Sequence, residues 1–308
     1  MQERRKNMKP SRSQLSRSKF DQAMAGYLFL LPAIVSLCVF LIGPIFYALY
    51  ISFFHFSFLD PQNKQFIGVR NYIHLFSDPL FLRALWNTTL YAIVVVPVQT
   101  AIALFLALIV NNLKGKTFFR IVYYLPTVTS TVATSLMFMF IFEPQGLLNN
   151  FLKLFGIHGP NYFNSPTFAL PSIMAIAIWS SVGQYMIIYL AGLQDLPAEV
   201  YEAAALDGAT GLRLLRYITL PLLKRTTFLN VVLSLIGTFQ VFDQMDVISQ
   251  GTGGPLNSTL SVVLDLFNQA MSQNMGYASA IGFVLFIIIL ILTFIQKFFF
   301  ERNDEPGV

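Results

Sequence analysis

The chain reads Gln194-Asp-Leu-Pro-Ala-Glu-Val-Tyr-Glu-Ala-Ala-Ala-Leu-Asp-Gly208 between two long apolar segments. Asp195 and Pro197 are typical helix start signals, and residues 198–206 are strong helix formers. Gly208, directly after an aspartate, is a typical stop. The stretch therefore predicts a short helix that ends at Gly208, in a place where a simple turn would be enough to join two segments.

The residues after this helix extend the same loop. A second short helix is predicted over 210–217, and it leads through Leu220-Pro221 into the next apolar segment. Ala203, Ala204 and Ala205 offer a low-relief surface that another protein can approach closely, and carboxylates stand on either side of them for pairing with cations of a partner. The alternative is a simple connector with an exposed helix.

The loop lies in a chain with the composition of a membrane protein. Of its 308 residues 55% are hydrophobic and 11% are charged, against roughly 25% charged in a soluble domain. The apolar residues form runs long enough to cross about 30 Å of hydrocarbon as helices. These runs are 25–52, 84–110, 118–142, 169–193, 226–248 and 275–300. The predicted fold is an all-α integral membrane protein with six transmembrane helices, short amphipathic outer helices and one long cytoplasmic loop.

The positive charges predict the orientation of the chain. Sixteen of the twenty Lys and Arg residues lie in the two terminal segments and in the loops after spans two and four, and four lie in the other loops. By the positive-inside rule, both termini and the long loop face the cytoplasm. The net charge of +5 is thus a signal of topology and not of nucleic-acid binding. The predicted organisation is a basic tail (1–20), the first span with an outer segment (21–83), a core (84–300, with the loop at about 194–225) and a C-terminal tail (301–308).

The sequence offers no cluster of catalytic or metal-ligating residues. The three histidines are scattered through outer segments, and the single cysteine, Cys38, lies inside the first span. Lys114-Gly-Lys-Thr117 superficially resembles a phosphate-binding loop, but Val110 stands where its first glycine belongs and a membrane span precedes it. Neither an enzyme nor a metal site is predicted.

Ionisable residues are rare at membrane depth. Only Asp243 and Asp246 come close to it, toward the outer end of span five. Carriers driven by protons or sodium ions generally need such groups inside the membrane. If this protein moves a substrate uphill, the energy is expected to come from another protein.

The residues of the long loop resemble a known pattern. Glu202-Ala-Ala204, Asp207-Gly-Ala209, Ile218 and Leu220-Pro221 match the EAA loop of permease subunits in binding-protein-dependent ABC importers. The resemblance is to the carbohydrate branch, of the maltose and multiple-sugar type. Further matches to that branch are Phe66-Ile-Gly-Val-Arg-Asn-Tyr72, Trp86-Asn-Thr88, Gly253-Gly-Pro255, Asn257-Ser-Thr259 and Gly276-Tyr-Ala-Ser-Ala280.

This resemblance implies a set of partners in a bacterial plasma membrane. It implies a second permease subunit, two cytoplasmic ATPases that bind ATP and Mg²⁺, and an extracytoplasmic protein that delivers the sugar. It implies no cofactor in the chain itself. The residues that would couple the chain to an ATPase are Glu202, Ala203, Ala204, Asp207 and Gly208.

Alignment through the loop also implies a sugar site at mid-membrane. The matching positions are Ser180, Ser181, Gln184, Ser234 and Thr238, and Gln240 and Asp243 extend the set outward. Ser180 and Gln184 are four residues apart, as are Ser234 and Thr238, so each pair shares a helix face. The alternative is that these hydroxyl groups bond only to backbone carbonyls or to a neighbouring helix.

Two other classes of function stay open from the residues alone. A self-sufficient channel or secondary carrier would support flux by itself, although the scarcity of ionisable groups in the spans argues against it. A membrane scaffold would bind partners through the same loop without any substrate. The polar residues at mid-membrane argue against a scaffold.

Overall fold

A computed structural model describes residues 12–301, with side chains described for residues 24–300. The helices are α1 (Arg12–Leu37), α2 (Gly43–Ile51), α3 (Arg70–Leu75), α4 (Pro79–Asn112), α5 (Lys116–Val128), α6 (Thr131–Ile141), α7 (Leu147–Lys153), α8 (Ala169–Gln194), α9 (Ala198–Leu206), α10 (Gly211–Leu214), α11 (Leu220–Leu222), α12 (Lys224–Phe239), α13 (Asp243–Ser249), α14 (Val262–Met271) and α15 (Met275–Glu301). Two short strands, β1 (Phe54–His55) and β2 (Gln65–Phe66), pair antiparallel.

Two π-helical turns occur just before prolines. Cys38–Ile42 precedes Pro44, and Leu215–Thr219 precedes Pro221. A proline has no N–H to donate to the preceding turn, and the chain accommodates this locally by widening the turn. Through the first of these turns, α1 and α2 continue as one long apolar helix, Met24–Ile51.

The chain divides into two compact units at Ile51 and Ser52. The first unit contains α1 and α2, and the second contains all later elements. The outer segment that follows the first span therefore belongs with the second unit.

The expectation of six spans is confirmed when one bent pair of helices is counted as a single span. Five continuous candidates are Met24–Ile51, Pro79–Asn112, Ala169–Gln194, Lys224–Ser249 and Met275–Phe300. The sixth is formed by α5 and α6, which are bent by 91° relative to each other. The third span over 118–142 is thus sharply bent: Pro126 weakens the end of α5, and Thr129 and Ser130 leave the helical conformation before α6 begins.

Two apolar clusters form the core of the second unit. One cluster lies on the side of the β-hairpin and α14, and its large buried members include Phe81, Ile173 and Met245. The other lies on the side of the long loop and includes Met186, Tyr189 and Leu223. Helices α4 and α8 run through both clusters and pack closely against each other, so they form the frame of the unit.

Side chains from the start of α4 fix the glycine-rich segment after α13. Asn87 Nδ2 donates to the carbonyls of Asn257 (2.8 Å) and Leu260 (3.0 Å), and Thr88 Oγ1 accepts from Val262 N (3.1 Å). Two motifs that lie some 170 residues apart in the sequence therefore meet in the fold. Asn87 is buried in this contact, so packing explains why an asparagine stands at this position.

Candidate functional site

A polar cavity of about 250 Å³ lies between helices α4, α8 and α12. It also borders the two breaks in the helices, since Thr131 begins α6 and residues 240–244 join α12 to α13. The lining residues are Tyr91, Val95, Gln99, Thr131, Ala177, Ser180, Ser181, Tyr185, Ser234, Gly237, Thr238, Gln240, Val241, Phe242, Asp243 and Gln244.

The cavity lies at the boundary between the two apolar clusters. Along α4, the first cluster ends at Val95 and the second begins at Ala103. Along α8, the first ends at Ala177 and the second begins at Val182. Gln99, Ser180 and Ser181 occupy the gaps, so the polar groups form one layer with apolar side chains on both sides.

Gln99 connects two walls of the cavity. Its Oε1 accepts a hydrogen bond from Ser181 Oγ (2.6 Å) on α8, and its Nε2 donates to Ser234 Oγ on α12. Gln99 is 2% exposed, and Ser234 is fully buried. Buried polar groups are stable when they satisfy each other in this way.

The opposite end of the cavity is held by Gln244 and Ser180. Gln244 Nε2 donates to Ser180 Oγ (3.4 Å), while the Oε1 atom of Gln244 is buried with no hydrogen-bond partner among the described residues. The backbone carbonyl of Ser180 accepts from Thr127 Oγ1 (2.9 Å), which ties α5 to α8 beside the bend. Gln244, which borders the cavity, thus carries an acceptor that the described residues leave unsatisfied.

The structure brings six of the seven predicted substrate residues together. Ser180, Ser181, Ser234, Thr238, Gln240 and Asp243 all line the cavity. Gln184 is exposed on α8 and is not among the lining residues. Although it shares a helix face with Ser180 in the sequence, the cavity ends at Ser181 and Tyr185 on this helix.

The prediction from sequence did not include Gln99 and Gln244 in the site. Both are neutral amides, which do not stand out in a sequence as ionisable groups at membrane depth do. Gln99 stands in an apolar run from Ile93 to Val110, where an isolated amide needs a buried partner. The isolation of Gln99 in this apolar run was the sequence signal that could have identified it as a residue of the site.

The long loop is built as the sequence predicts near Gly208. Helix α9 ends in a Schellman motif, in which Ala209 N bonds to Ala204 O (2.9 Å) and Gly208 N bonds to Ala205 O (3.1 Å). Gly208 has φ of +71°, a conformation that favours glycine. The Tyr201 hydroxyl donates to Thr219 Oγ1 (3.2 Å), so α9 is tied to the π-helical turn that follows α10.

The surface of this loop differs from the prediction at one residue. Glu202, Ala203, Asp207 and Gly208 are exposed as expected. Ala204 is 3% exposed, because its methyl group packs into the chain. The prediction that Ala204 forms part of a low-relief outer surface was therefore wrong. Two leucines supply exposed apolar surface in its place, because Leu206 is 90% exposed and Leu212 is 80% exposed.

A buried carboxyl group lies at the end of the molecule opposite the long loop. Asp265 on α14 is 3% exposed, and burial raises its pKa to about 6, helped by the negative charge of Asp78 and opposed by a hydrogen bond with Gln269. Asp78 caps α4 by accepting from Leu80 N (2.9 Å), and it accepts from the Tyr277 hydroxyl (2.7 Å). Across residues 24–300, no three His, Cys, Asp or Glu side chains converge as metal ligands would.

Comparison with known proteins identifies similar chains over nearly the whole length. Residues 99–304 match the family described as "Binding-protein-dependent transport system inner membrane component". The probable ABC transporter permease YurN of Bacillus subtilis is 38% identical over 286 residues, which cover 91% of this chain and 97% of YurN. The lactose transport permease LacF of Rhizobium radiobacter is 35% identical, covering 93% and 96% of the two chains.

Similar chains also occur among arabinooligosaccharide transporters and solved structures. The permease AraP of Bacillus subtilis is 35% identical, covering 90% of this chain and 88% of AraP. A chain of a bacterial ABC transporter that imports alginate superposes with a TM-score of 0.79, covering 94% of this chain and 99% of that one at 22% identity. This superposition shows that the fold is shared.

Proposed function

The chain belongs to the family of binding-protein-dependent transport system inner membrane components, and we propose that it is the membrane-spanning permease of an ATP-driven sugar importer. Its relatives LacF and AraP are named for the transport of lactose and of arabinooligosaccharides. A relative from Thermococcus litoralis, 32% identical, is named for trehalose and maltose. These names support sugars as the substrate class.

The observation that most strongly supports this proposal is the cavity at the boundary of the two apolar clusters. Its polar lining consists almost entirely of hydroxyl and amide groups, with one carboxylate, Asp243. Such groups both donate and accept hydrogen bonds, as the hydroxyl groups of a sugar do. Tyr91 and Tyr185 add aromatic surface for the C–H faces of a sugar ring.

We assign the sugar contacts to the predicted residues that line the cavity: Ser180, Ser181, Ser234, Thr238, Gln240 and Asp243. Gln244 joins them because its Oε1 atom is buried without a partner in the described part of the chain. Gln184 is left out because it is exposed outside the cavity.

The long loop is proposed to dock on an ATPase partner. Glu202, Ala203, Asp207 and Gly208 would form the contact, with the exposed side chains of Leu206 and Leu212 entering an apolar cleft. Ala204 supports the helix from inside. The Schellman motif and the Tyr201–Thr219 hydrogen bond hold the loop against the π-helical turn that precedes α12. A movement of the ATPase would therefore be transmitted to α12, which forms one wall of the cavity.

Both termini and this loop are proposed to lie in the cytoplasm. The excess of Lys and Arg at that side supports this orientation. A sugar-binding protein would then dock at the side of the β-hairpin and α14, and a second permease would complete the pathway. ATP and Mg²⁺ would bind to the ATPase subunits and not to this chain.

Reconstitution tests the proposed function. The chain is placed in proteoliposomes with and without the second permease, ATPases and binding protein encoded by neighbouring genes, and uptake of labelled lactose, trehalose and arabinotriose is measured. We expect uptake of at least one sugar that requires ATP and the binding protein, and neither flux nor ATP hydrolysis by the chain alone. Sugar flux through the isolated chain would contradict the proposal and favour a self-sufficient carrier.

Gly208→Ala tests the coupling role of the loop. Alanine in the left-handed conformation costs about 1–2 kcal/mol, although the space around Gly208 is open. We expect sugar uptake by the assembled transporter to fall several-fold, with substrate-stimulated ATP hydrolysis falling in parallel.

Gly115→Ala is the matched control for this substitution. Gly115 also has positive φ (+84°) and open space around it, but it lies in the α4–α5 loop. It should leave both sugar uptake and substrate-stimulated ATP hydrolysis at the wild-type level. An equal fall of both rates in the two variants would remove the special role of the α9 loop.

A further inference from the structure

We propose that Gln99 is a positioning residue for substrate binding, which sets the direction of the hydrogen bonds on two walls of the cavity. The inference rests on the proposed sugar site and extends it to a residue behind the wall. Gln99 is not expected to touch the sugar strongly, since it is 2% exposed. It acts through Ser181 and Ser234.

The two ends of the Gln99 amide have different partners. The Oε1 atom accepts from Ser181 Oγ (2.6 Å), and the Nε2 atom donates to Ser234 Oγ. An amide oxygen can only accept and an amide nitrogen can only donate. The pair of bonds is therefore directional.

This direction determines what Ser181 presents to the cavity. The single hydroxyl proton of Ser181 is used inside the protein, where Gln99 Oε1 and the carbonyl of Ala177 (2.7 Å) both accept it. Only lone pairs of Ser181 remain for a ligand. Ser181 is thus fixed as a hydrogen-bond acceptor toward the substrate.

On the other wall, Gln99 acts on Ser234. Because Ser234 Oγ accepts from Gln99 Nε2, the hydroxyl proton of Ser234 is directed away from the amide. Ser234 lines the cavity. The amide therefore orients one hydroxyl group on α8 and one on α12.

The position of Gln99 between the apolar clusters makes it hard to replace. Val95 and Ala103, one turn away on either side along α4, belong to the two clusters. A polar group that loses its partner in such surroundings is destabilising. Removal of the amide would leave Ser181 and Ser234 free to turn toward other acceptors, and the ordered arrangement would be lost.

The test uses the complete reconstituted transporter with the labelled sugar, among lactose, trehalose and arabinotriose, that the wild type imports fastest. Gln99→Met keeps the length of the side chain and removes both hydrogen bonds. Loss of about 1.4 kcal/mol of binding corresponds to a tenfold change in affinity, so we expect KM for uptake to rise about tenfold with a much smaller change in the maximal rate.

Thr100→Val is the matched control, because it removes a buried hydroxyl that bonds to Val96 O on the same helix outside the cavity. Its KM should equal that of the wild type.

Gln99→Glu provides a second, independent readout. A protonated carboxyl group has one donor and one acceptor, as the amide has, whereas the ionised form can only accept. Burial favours the protonated form. The KM of the variant should therefore be close to that of the wild type at acid pH and should increase as the pH rises. The ratio of variant to wild-type KM, measured from pH 5 to pH 8, should therefore increase, which a purely structural role would not produce.

The outcomes separate this inference from the proposed function. A KM within twofold of the wild type in Gln99→Met, or a fall in the maximal rate alone that Thr100→Val reproduces, would overturn the positioning role. If Gln99→Met does not assemble, the pH profile of Gln99→Glu decides, and a flat ratio overturns the role. Absence of any sugar uptake by the wild type would overturn the proposed function, and this inference with it.

Discussion

Asp265 carries a buried carboxyl group that faces another carboxyl group at the end of the molecule opposite the long loop. Its Oδ2 atom has no hydrogen-bond partner among the described residues, and it feels the negative charge of Asp78. Burial raises the pKa of Asp265 to about 6, above its ordinary value of 3.8. The folded protein therefore holds a proton on Asp265 that the unfolded chain would release.

This difference predicts that acid stabilises the protein. The stabilisation is complete below about pH 3.8 and is lost as the pH rises through 6, because the folded state binds more protons in that window. We expect the free energy of unfolding of Asp265→Asn, relative to wild type, to shift by about 1.4 kcal/mol in favour of the variant between pH 5 and pH 7.5, since a pKa difference of one unit corresponds to that energy. Thermal melting of the purified protein at several pH values measures it.

Asp60→Asn serves as the control, since Asp60 is an exposed aspartate in the outer segment that follows the first span. It should leave the pH dependence of melting unchanged. If Asp265→Asn melts in parallel with the wild type at every pH, the carboxyl group does not titrate in this range.

At the residue scale, the sequence predicted most of the cavity but not its internal connections. Ser180 and Ser234 were predicted by alignment of the loop with the family that the sequence resembles, and their hydroxyl groups in apolar runs agreed with that alignment. Gln99 was missed because its partners lie on α8 and α12, 82 and 135 residues away. Which residues of one helix face which residues of another depends on packing that no local pattern contains.

At the scale of elements, the crossing of α5 and α8 depends on one glycine. A Cβ atom at Gly183 would lie 1.9 Å from the carbonyl oxygen of Tyr123 and 2.7 Å from its carbon. These neighbours are backbone atoms, which cannot rotate away. The close approach places Thr127 within hydrogen-bond distance of the Ser180 carbonyl, next to the cavity.

We therefore expect Gly183→Ala to push α5 away from α8. Overpacking of this kind costs about 1–3 kcal/mol, and the melting temperature of the purified protein should fall by several degrees. Sugar uptake should fall as well, because the wall of the cavity moves.

Gly26→Ala is the comparison, since Gly26 is also helical and has open space for a methyl group. Alanine favours helices, so this variant should be neutral or slightly more stable. A Gly183→Ala variant as stable as Gly26→Ala would show that the two helices can separate at no cost.

The lengths of the apolar runs predicted the spans well, but not the bend between α5 and α6. Pro126 lies near the end of α5, and the chain turns at Thr129 and Ser130. A run of apolar residues shows that a segment can be buried in lipid. It does not show whether the segment is straight.

For the whole molecule, the orientation in the membrane is the property that charge alone predicts. After replacement of Cys38, the only cysteine, single cysteines are introduced by His158→Cys and Lys114→Cys, both at exposed positions. A membrane-impermeant maleimide should label the first variant in intact cells and the second only after permeabilisation. The reverse pattern would contradict the proposed orientation.

The whole-molecule assignment depended on motifs more than on physical patterns. Composition and charge lead only to a membrane protein with six spans, and the EAA pattern in the long loop added the family, which the match over residues 99–304 confirms. Partners cannot be read from one chain, because the surfaces that contact them are completed by other proteins.

The two apolar clusters on either side of the polar cavity also have a consequence for the energy supply of the cell. A proton or sodium ion that entered the cavity would have to cross the apolar layers on either side of it, where desolvation is unfavourable. The contribution of this chain to the pathway is thus insulating between transport cycles. A transporter with such walls could stay in the membrane in large numbers without discharging the ion gradients that the membrane maintains.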